Sequence, residues 1–543
     1  MPSKLVFVSF LTLFLLLSFL SAAIFGLMYI FKFIDIYLLF GSVLIINFFF
    51  WLLGPLILDF VHKIFYQMQF YPHLDFQNLY PELDKFIENV TSSYYIPFPK
   101  IGIIEDDNPI AYTYGSTVFN ARIILSRGIF TYLEEEEREA VVAHELGHIV
   151  HRDFIIMTIA NTILQILYET SQIFLRTKSG RKKEKTDILY IFGLITYIFY
   201  QLSFYTVLFL SRVRERYADE FSARVTKNPN LLSKALIKIA YGIIAKEENP
   251  KSMKLLESAR ALGIMGFRTA KEVGLIAKVT NLDYQKIAKV LSYDFINPWA
   301  KISELKSTHP LTGKRLLWLD EIAKEMGLEP LFNIPKIIKE TQINQKQIWS
   351  NFILGVIINF LPSIAILILL ILPLLGVNYH PIFLFPPFWI TFLGISLIFR
   401  TIYRFPSFDN TETKNILSLM EDLYADPIKG KPIILRGTIV GRGMAGYYFS
   451  EDLMLQDETG LIYLNYQSGI PLVGNLFFAL KKVEKIIGKE VEIRGWFFRS
   501  KFHYVTLDYV KYNSSQIKSY TKFWNLFFGI LFLILGIILI LEI

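Results

Sequence analysis

The distribution of apolar residues constrains this chain more than any other feature. Residues 6–31, 36–58, 154–175, 188–210, 352–377, 382–399 and 523–541 form apolar stretches that reach or approach the roughly 20 residues a helix needs to cross the hydrocarbon core of a bilayer. They carry most of a hydrophobic content of 53%, above the range of about 45–50% usual for soluble domains. The chain therefore reads as mainly α and integral to a membrane, a multi-helix transmembrane bundle. Two stretches have a second reading. Lys4 precedes the first, and Ser21-Ala22-Ala23 resembles a signal-peptide cleavage site, although the apolar run continues to Phe31. The 382–399 stretch is short and contains Pro386-Pro387, so a re-entrant or interfacial segment is the alternative to a full span.

Cut at these stretches, the chain divides into two spans (1–60), a polar segment (61–153), a helix pair (154–210), a second polar segment (211–350), two further spans (351–402), a β-patterned segment (426–512) and a last span (523–541). Because two spans separate the first two polar segments, both return to one membrane face. The absence of cysteine excludes disulfides, thiol nucleophiles and cysteine-held metals, leaving His, Asp and Glu as ligands. The net charge of +8 suits anionic headgroups as readily as nucleic acid.

The first polar segment ends in EEEEREAVVAHELGHIVHRD, residues 134–153, with acids gathered where a helix N-terminus favours them and no proline. On a helix, His144 and His148 lie one turn apart on one face, where both can reach a zinc ion. Glu145 is then placed beside them to handle a water proton. A surface helix with two solvated histidines is the alternative. The second polar segment opens with SRVRERYAD, residues 211–219, which puts Glu215 and Asp219 one turn apart. Hydrolytic zinc takes two histidines, a carboxylate and an open position. Glu215 can supply that carboxylate, and Asp219 can accept a hydrogen bond from the far nitrogen of His144. Pairing of these acids with Arg212, Arg214 and Arg216 is the competing explanation. His151 reads as a solvated or membrane-edge residue.

The ordered array AHELGHIVHRD, two spans, SRVRERYAD and STHPLTGKR resembles the HtpX-like membrane zinc metalloproteases, relatives of the CAAX prenyl proteases, over residues 1–325. The resemblance implies a zincin-like domain, one zinc per chain on His144, His148 and Glu215, and Glu145 as general base. It also implies membrane or misfolded proteins as peptide substrates. The family's substrate-binding edge strand is represented by residues 108–115, with Asn108, Ala111 and Tyr112 as the binding positions. Pro109 departs from the pattern, having no amide donor. His309 is the candidate oxyanion donor, with a structural His-Pro turn as the alternative, and Arg315 is a candidate to orient an acid of the site. A scaffold with structural zinc and a specific processing protease of the CAAX type are the other functional readings.

Asn161, Gln165, Glu169 and Gln172 form a polar stripe on the third span, matched by Tyr190, Tyr197 and Gln201 on the fourth. Either they flank a hydrated crevice or they hold helices together. The family precedent places the site on the cytoplasmic face of the cell membrane. Lys336, Lys339, Lys346, Arg400 and Arg404 agree with it, while the basic loop 176–185 argues the reverse. Beyond residue 330 the resemblance stops. Residues 426–512 read as about five strands with an intervening helix, a small OB-like β-barrel. Its mixed charge makes nucleic acid an unexpected partner; lipid and protein or peptide substrates are the expected ones, and an oligomer is compatible with the sequence.

Overall fold

The computed structural model describes residues 2–31, 36–176, 183–245, 273–274, 276–277, 280, 282–340, 343–371, 386–409, 411–443, 450–500, 503–513 and 515–542. Its long helices follow the apolar stretches: α1 (Ser3–Phe31), α2 (Ile36–Phe65), α4 (Asp153–Arg176), α5 (Lys183–Thr226), α6 (Gln345–Ile371), α7 (Pro386–Arg404) and α8 (Thr521–Leu541); α3 (Glu135–Val150) is the helix of the histidine pair. Among the described residues, five segments are long and apolar enough to cross a membrane: Ser3–Ile24, Asp153–Leu175, Leu189–Thr226, Gln345–Leu370 and Thr521–Leu541. The 36–58 stretch lies within α2, and residues 372–377 and 382–385 of the two later candidates fall outside the described residues.

The chain forms two compact units. The first comprises Met1–Gly274 and Glu304–Asn333. In it α1, α4 and α5 meet through Leu16, Ala23, Ala160, Ile163, Leu167, Val207 and Leu210, all buried. Lipid tails are as apolar as these side chains, so the contact is stabilised by close packing rather than by release of water. It also corrects one expectation. Helices α4 and α5 face each other with apolar residues, while Asn161, Gln165 and Glu169 lie exposed on another side of α4. Tyr197 is engaged within its own helix, accepting from Gln201 Nε2 at 2.7 Å.

A four-stranded sheet, order β1-β2-β4-β3, follows α2. Its strands are β1 (Gln69–Tyr71), β2 (Lys100–Ile104), β3 (Ala111–Tyr114) and β4 (Arg122–Ser126). β2 and β4 run parallel, and β1 and β3 are antiparallel to their neighbours. The end of α2 clamps this sheet. Asp59 accepts from Tyr114 Oη at 2.7 Å and from Arg122 Nη2 at 2.9 Å, and the Tyr112 hydroxyl lies 3.2 Å from His62 Nε2.

The second unit comprises Leu275–Ser303 and Ile334–Ile543. Residues 275–303 thus group with the C-terminal part rather than with the polar segment that precedes them. Arg499, buried, donates to Val290 O at 2.8 Å and stacks 3.9 Å from the Tyr293 ring, whose hydroxyl reaches Ala425 O at 3.2 Å. Helices α7 and α8 approach backbone to backbone. A Cβ added at Gly394 would lie 2.3 Å from Leu533 N, and one at Gly536 would lie 2.5 Å from Thr391 N, so only glycine fits this small-residue contact.

The β-patterned region is a closed barrel. Strands β5 (Lys431–Arg442), β6 (Leu453–Asp457), β7 (Gly460–Asn465), β8 (Glu490–Arg499) and β9 (His503–Tyr512) pair in the circuit β5-β6-β7-β9-β8-β5, with β7 and β9 parallel. The helix Val473–Lys481 sits between the third and fourth strands. Closure removes the free strand edges that a small sheet would otherwise expose. A short β10 (Ser515–Lys518), not legible in the sequence, pairs antiparallel with the end of β9 ahead of α8.

Candidate metal centre

Four consecutive glutamates begin the site. Glu134 caps α3, its side chain accepting from the amide of Glu137 while the Glu137 carboxylate accepts the Glu134 amide at 2.9 Å. The acids also complement the positive end of the helix dipole. Glu137 is buried and is neutralised by Lys238 Nζ at 2.8 Å. One face of α3 packs on α5 at Gly147, where a Cβ would stand 3.2 Å from Ala218 Cα and from Phe221 Cβ. That close approach brings Glu215 of α5 opposite the histidines of α3.

The geometry that results is compact. His144 Nε2 and His148 Nε2 are 3.3 Å apart. Glu215 presents Oε2 at 3.6 Å from the first and Oε1 at 3.7 Å from the second. Each histidine is held from behind by a carboxylate: His144 Nδ1 lies 2.9 Å from Asp219 Oδ1, and His148 Nδ1 lies 2.6 Å from Asp153 Oδ2. A carboxylate beside Nδ1 favours the tautomer whose Nε2 lone pair faces the cluster. Two acceptors and a carboxylate converging in a buried site call for a cation. Three atoms bound tetrahedrally to one zinc at about 2.0–2.1 Å lie roughly 3.4 Å from one another, close to the spacings seen. His144, His148 and Glu215 can therefore hold a metal ion.

Glu145 is buried beside this cluster. Burial pushes its carboxyl up, while the two imidazoles pull it down and the Thr113 hydroxyl stands by it. For His144, burial opposes the charged form, but the Asp219 and Glu215 carboxylates outweigh it and its pKa is raised. His309 is buried with Nδ1 3.0 Å from Glu215 Oε2. Arg315, also buried, grips Asp219 through Nε at 2.8 Å and Nη2 at 2.6 Å. His151 differs from expectation: it is buried against the rings of Tyr217 and Phe221, and burial, then the neighbouring His148, pushes its imidazole down to about 3.

The strand expected at residues 108–115 forms at Ala111–Tyr114 and lies at the edge of the sheet order, with Asn108 and Pro109 ahead of it. Because Ser126 N donates to Ile110 O, the alternation of an antiparallel pair turns the amides and carbonyls of Ala111 and Thr113 away from β4. Tyr112 is wholly buried through its contact with His62. The side-chain amide of Asn108 is buried without a hydrogen-bonding partner among the described residues.

The sequence reading misses Asp153 and offers Arg214 only as a partner of Glu215 or Asp219. Asp153 stands five positions after His148, a spacing that a continuous helix would carry away from it. Arg152 adopts a left-handed conformation (φ 58°), breaking the helix so that Asp153 folds back. Arg214 then binds Asp153 and donates to Ser9 Oγ at 2.9 Å, linking the centre to α1. The repeated carboxylate-after-histidine pattern was the available signal.

Peptidase family M48 matches residues 78–323. A Protease HtpX homolog of Methanothermobacter thermautotrophicus is 38% identical over 159 residues, 29% of this chain and 59% of that protein. A Protease HtpX homolog of Aeropyrum pernix is 32% identical over 240 residues, 42% of this chain and 71% of that one. The chain belongs to the HtpX-like members of peptidase family M48. The matched region, residues 78–323, contains His144, Glu145, His148, Asp153, Glu215, Asp219, His309 and Arg315. The chain spans 59% of the length of the first of these relatives. A crystal structure of S. mikatae Ste24p aligns with 59% of this chain and 67% of that one at 17% identity and a TM-score of 0.34, too loose a superposition to build on.

In this M48 centre, Asp153→Asn keeps the shape of the side chain but weakens its hold on His148. Zinc affinity, read by competition with a chromogenic chelator, is expected to fall about 10–100-fold with the helical circular dichroism unchanged. An unaltered affinity would show that Asp153 has no part in the centre.

Proposed function

We propose that the chain is a zinc-dependent endopeptidase of the cell membrane, holding one zinc ion through His144, His148 and Glu215. The observation that carries this reading is the convergence of two Nε2 atoms and a carboxylate, with Glu145 alongside. A structural zinc site is closed by four protein ligands; among the described residues three converge here, which suits a site with a position for water and substrate. Zinc, when bound, supplies Lewis acidity that acidifies water and polarises a peptide carbonyl.

The chain's own residues do the rest. Glu145 accepts the proton of the attacking water and returns it to the leaving amine, a role favoured by a carboxyl whose pKa burial raises. Asp219 and Asp153 keep the imidazoles in the ligating tautomer. His309 lies with Nδ1 3.0 Å from Glu215 Oε2 and offers Nε2, which like Nδ1 has no hydrogen bond among the described residues, to the tetrahedral oxyanion. A substrate peptide adds antiparallel to the outward amides and carbonyls of Ala111 and Thr113, flanked by Tyr112, and the unpaired amide of Asn108 serves its backbone. Membrane or misfolded proteins are the substrates this arrangement suits, since an extended, unfolded segment is what can add to a strand. Lipid is the other partner.

The centre is assigned to the cytoplasmic face on the lysines and arginines at 336, 339, 346, 400 and 404. An epitope placed in loop 176–185 is then cleaved by protease added outside intact cells; protection of that epitope reverses the orientation. Glu145→Gln removes the base without removing a ligand. Casein cleavage by the purified variant is expected to fall by about 10²–10⁴-fold with its zinc content intact, and retained cleavage would refute the assignment.

A further inference from the structure

The helix inserted between the third and fourth strands of the barrel turns only one side to it. Phe478 and Ala479 are buried, with Phe478 stacked 3.8 Å from Tyr466. Asn475 pins the preceding loop by accepting from Ser468 N at 2.8 Å and anchors itself to Glu451 at 3.0 Å. The opposite side is apolar and uncovered. Leu472 is 83% exposed, Val473 72%, Phe477 51% and Ile470 67%, with Leu476 and Leu480 completing the strip. From Val473 to Leu480 these residues recur at three and four positions, one continuous stripe of a helix. A stripe of this kind is costly in water unless something covers it.

What covers it follows from its tether. Trp524 Nε1 donates to Ser468 O at 3.3 Å, Tyr520 N donates to Gln467 O at 2.8 Å, and the Tyr520 ring lies against Gly469. Tyr520 and Trp524 bracket the first turn of α8, the last candidate span, which is the position where aromatic residues mark the boundary between lipid and water. Leu472 is four residues beyond Ser468, so its backbone stays within roughly 14 Å of that boundary. Lys481, Lys482 and Lys485 follow the stripe and are exposed, with Lys481 Nζ 4.9 Å from the Phe477 ring. Cations adjoining an apolar face at the membrane surface match anionic headgroups above acyl chains.

We propose that Ile470–Leu480 is an interfacial membrane anchor: it lies in the plane of the bilayer beside the entry of α8, its apolar stripe in the acyl boundary and its lysines at anionic headgroups. The barrel is then seated on the lipid surface by its own helix as well as by the span that follows it. Nothing in this inference depends on the proposed chemistry of the metal centre.

The chain has no cysteine, so single cysteines label uniquely. Leu472→Cys, Phe477→Cys and, as a reference on an exposed barrel position, Arg436→Cys are coupled to an environment-sensitive fluorophore in the full-length protein. Each is reconstituted into phosphatidylcholine vesicles containing phosphatidylglycerol. At positions 472 and 477 the emission is expected to shift to the blue, to be quenched by doxyl-labelled lipid and to resist iodide, at every protein-to-lipid ratio; position 436 is expected to behave in the opposite way. Iodide access at 472 and 477 equal to that at 436 overturns the proposal. Shielding that appears only at high protein density, or only after other membrane proteins are added, assigns the stripe to a second copy or to a protein partner and overturns it equally.

Discussion

Everything in the first unit depends on α5 being one unbroken helix. Its 44 residues are about twice what a bilayer crossing uses, and the surplus carries Arg214, Glu215 and Asp219 out of the membrane on the same rigid element. A backbone inside lipid must satisfy its own hydrogen bonds, so the span cannot unwind, and Glu215 is held in place by the same constraint. Gly147 sets the remaining distance by letting α3 come against α5.

Charge is arranged in layers around the cluster. The ligating atoms are backed by Asp219 and Asp153, and these are backed by Arg315 and Arg214, which are themselves buried. Each carboxylate is thereby paired on both sides, which a buried acid requires. The outer arginines tie the centre to distant parts of the chain: Arg315 comes from the helix Thr312–Glu325, and Arg214 reaches Ser9 near the start of α1. The position of the imidazoles thus depends on three separate segments packing correctly, and the left-handed turn at Arg152 is what lets Asp153 join them.

The legibility of these features in the sequence followed their periodicity. Spans, the His144–His148 pair and the Glu215–Asp219 pair have regular spacing and were readable. The barrel strands were as well, because alternation bounded by glycines is a local signal. Asp153 was not, since its role comes from a break in a helix. The polar stripe on α4 misled because periodicity says which residues share a face but not which neighbour that face meets. His151 misled for a related reason: only packing reveals that Tyr217 and Phe221 enclose it. Residues 275–303 joined the C-terminal unit through buried contacts such as Arg499 on Tyr293 and Val290, which leave no mark on composition.

The central claim is that a carboxylate carried by the long helix α5 completes a zinc centre begun by two histidines on α3. The most direct test is the metal content of the purified full-length protein beside its Glu215→Ala variant, by mass spectrometry after dialysis against a weak chelator. One zinc per chain in the parent and loss of most of it in the variant is the predicted result. An undiminished zinc content in Glu215→Ala, or a zinc-free parent that still cleaves casein, would contradict it.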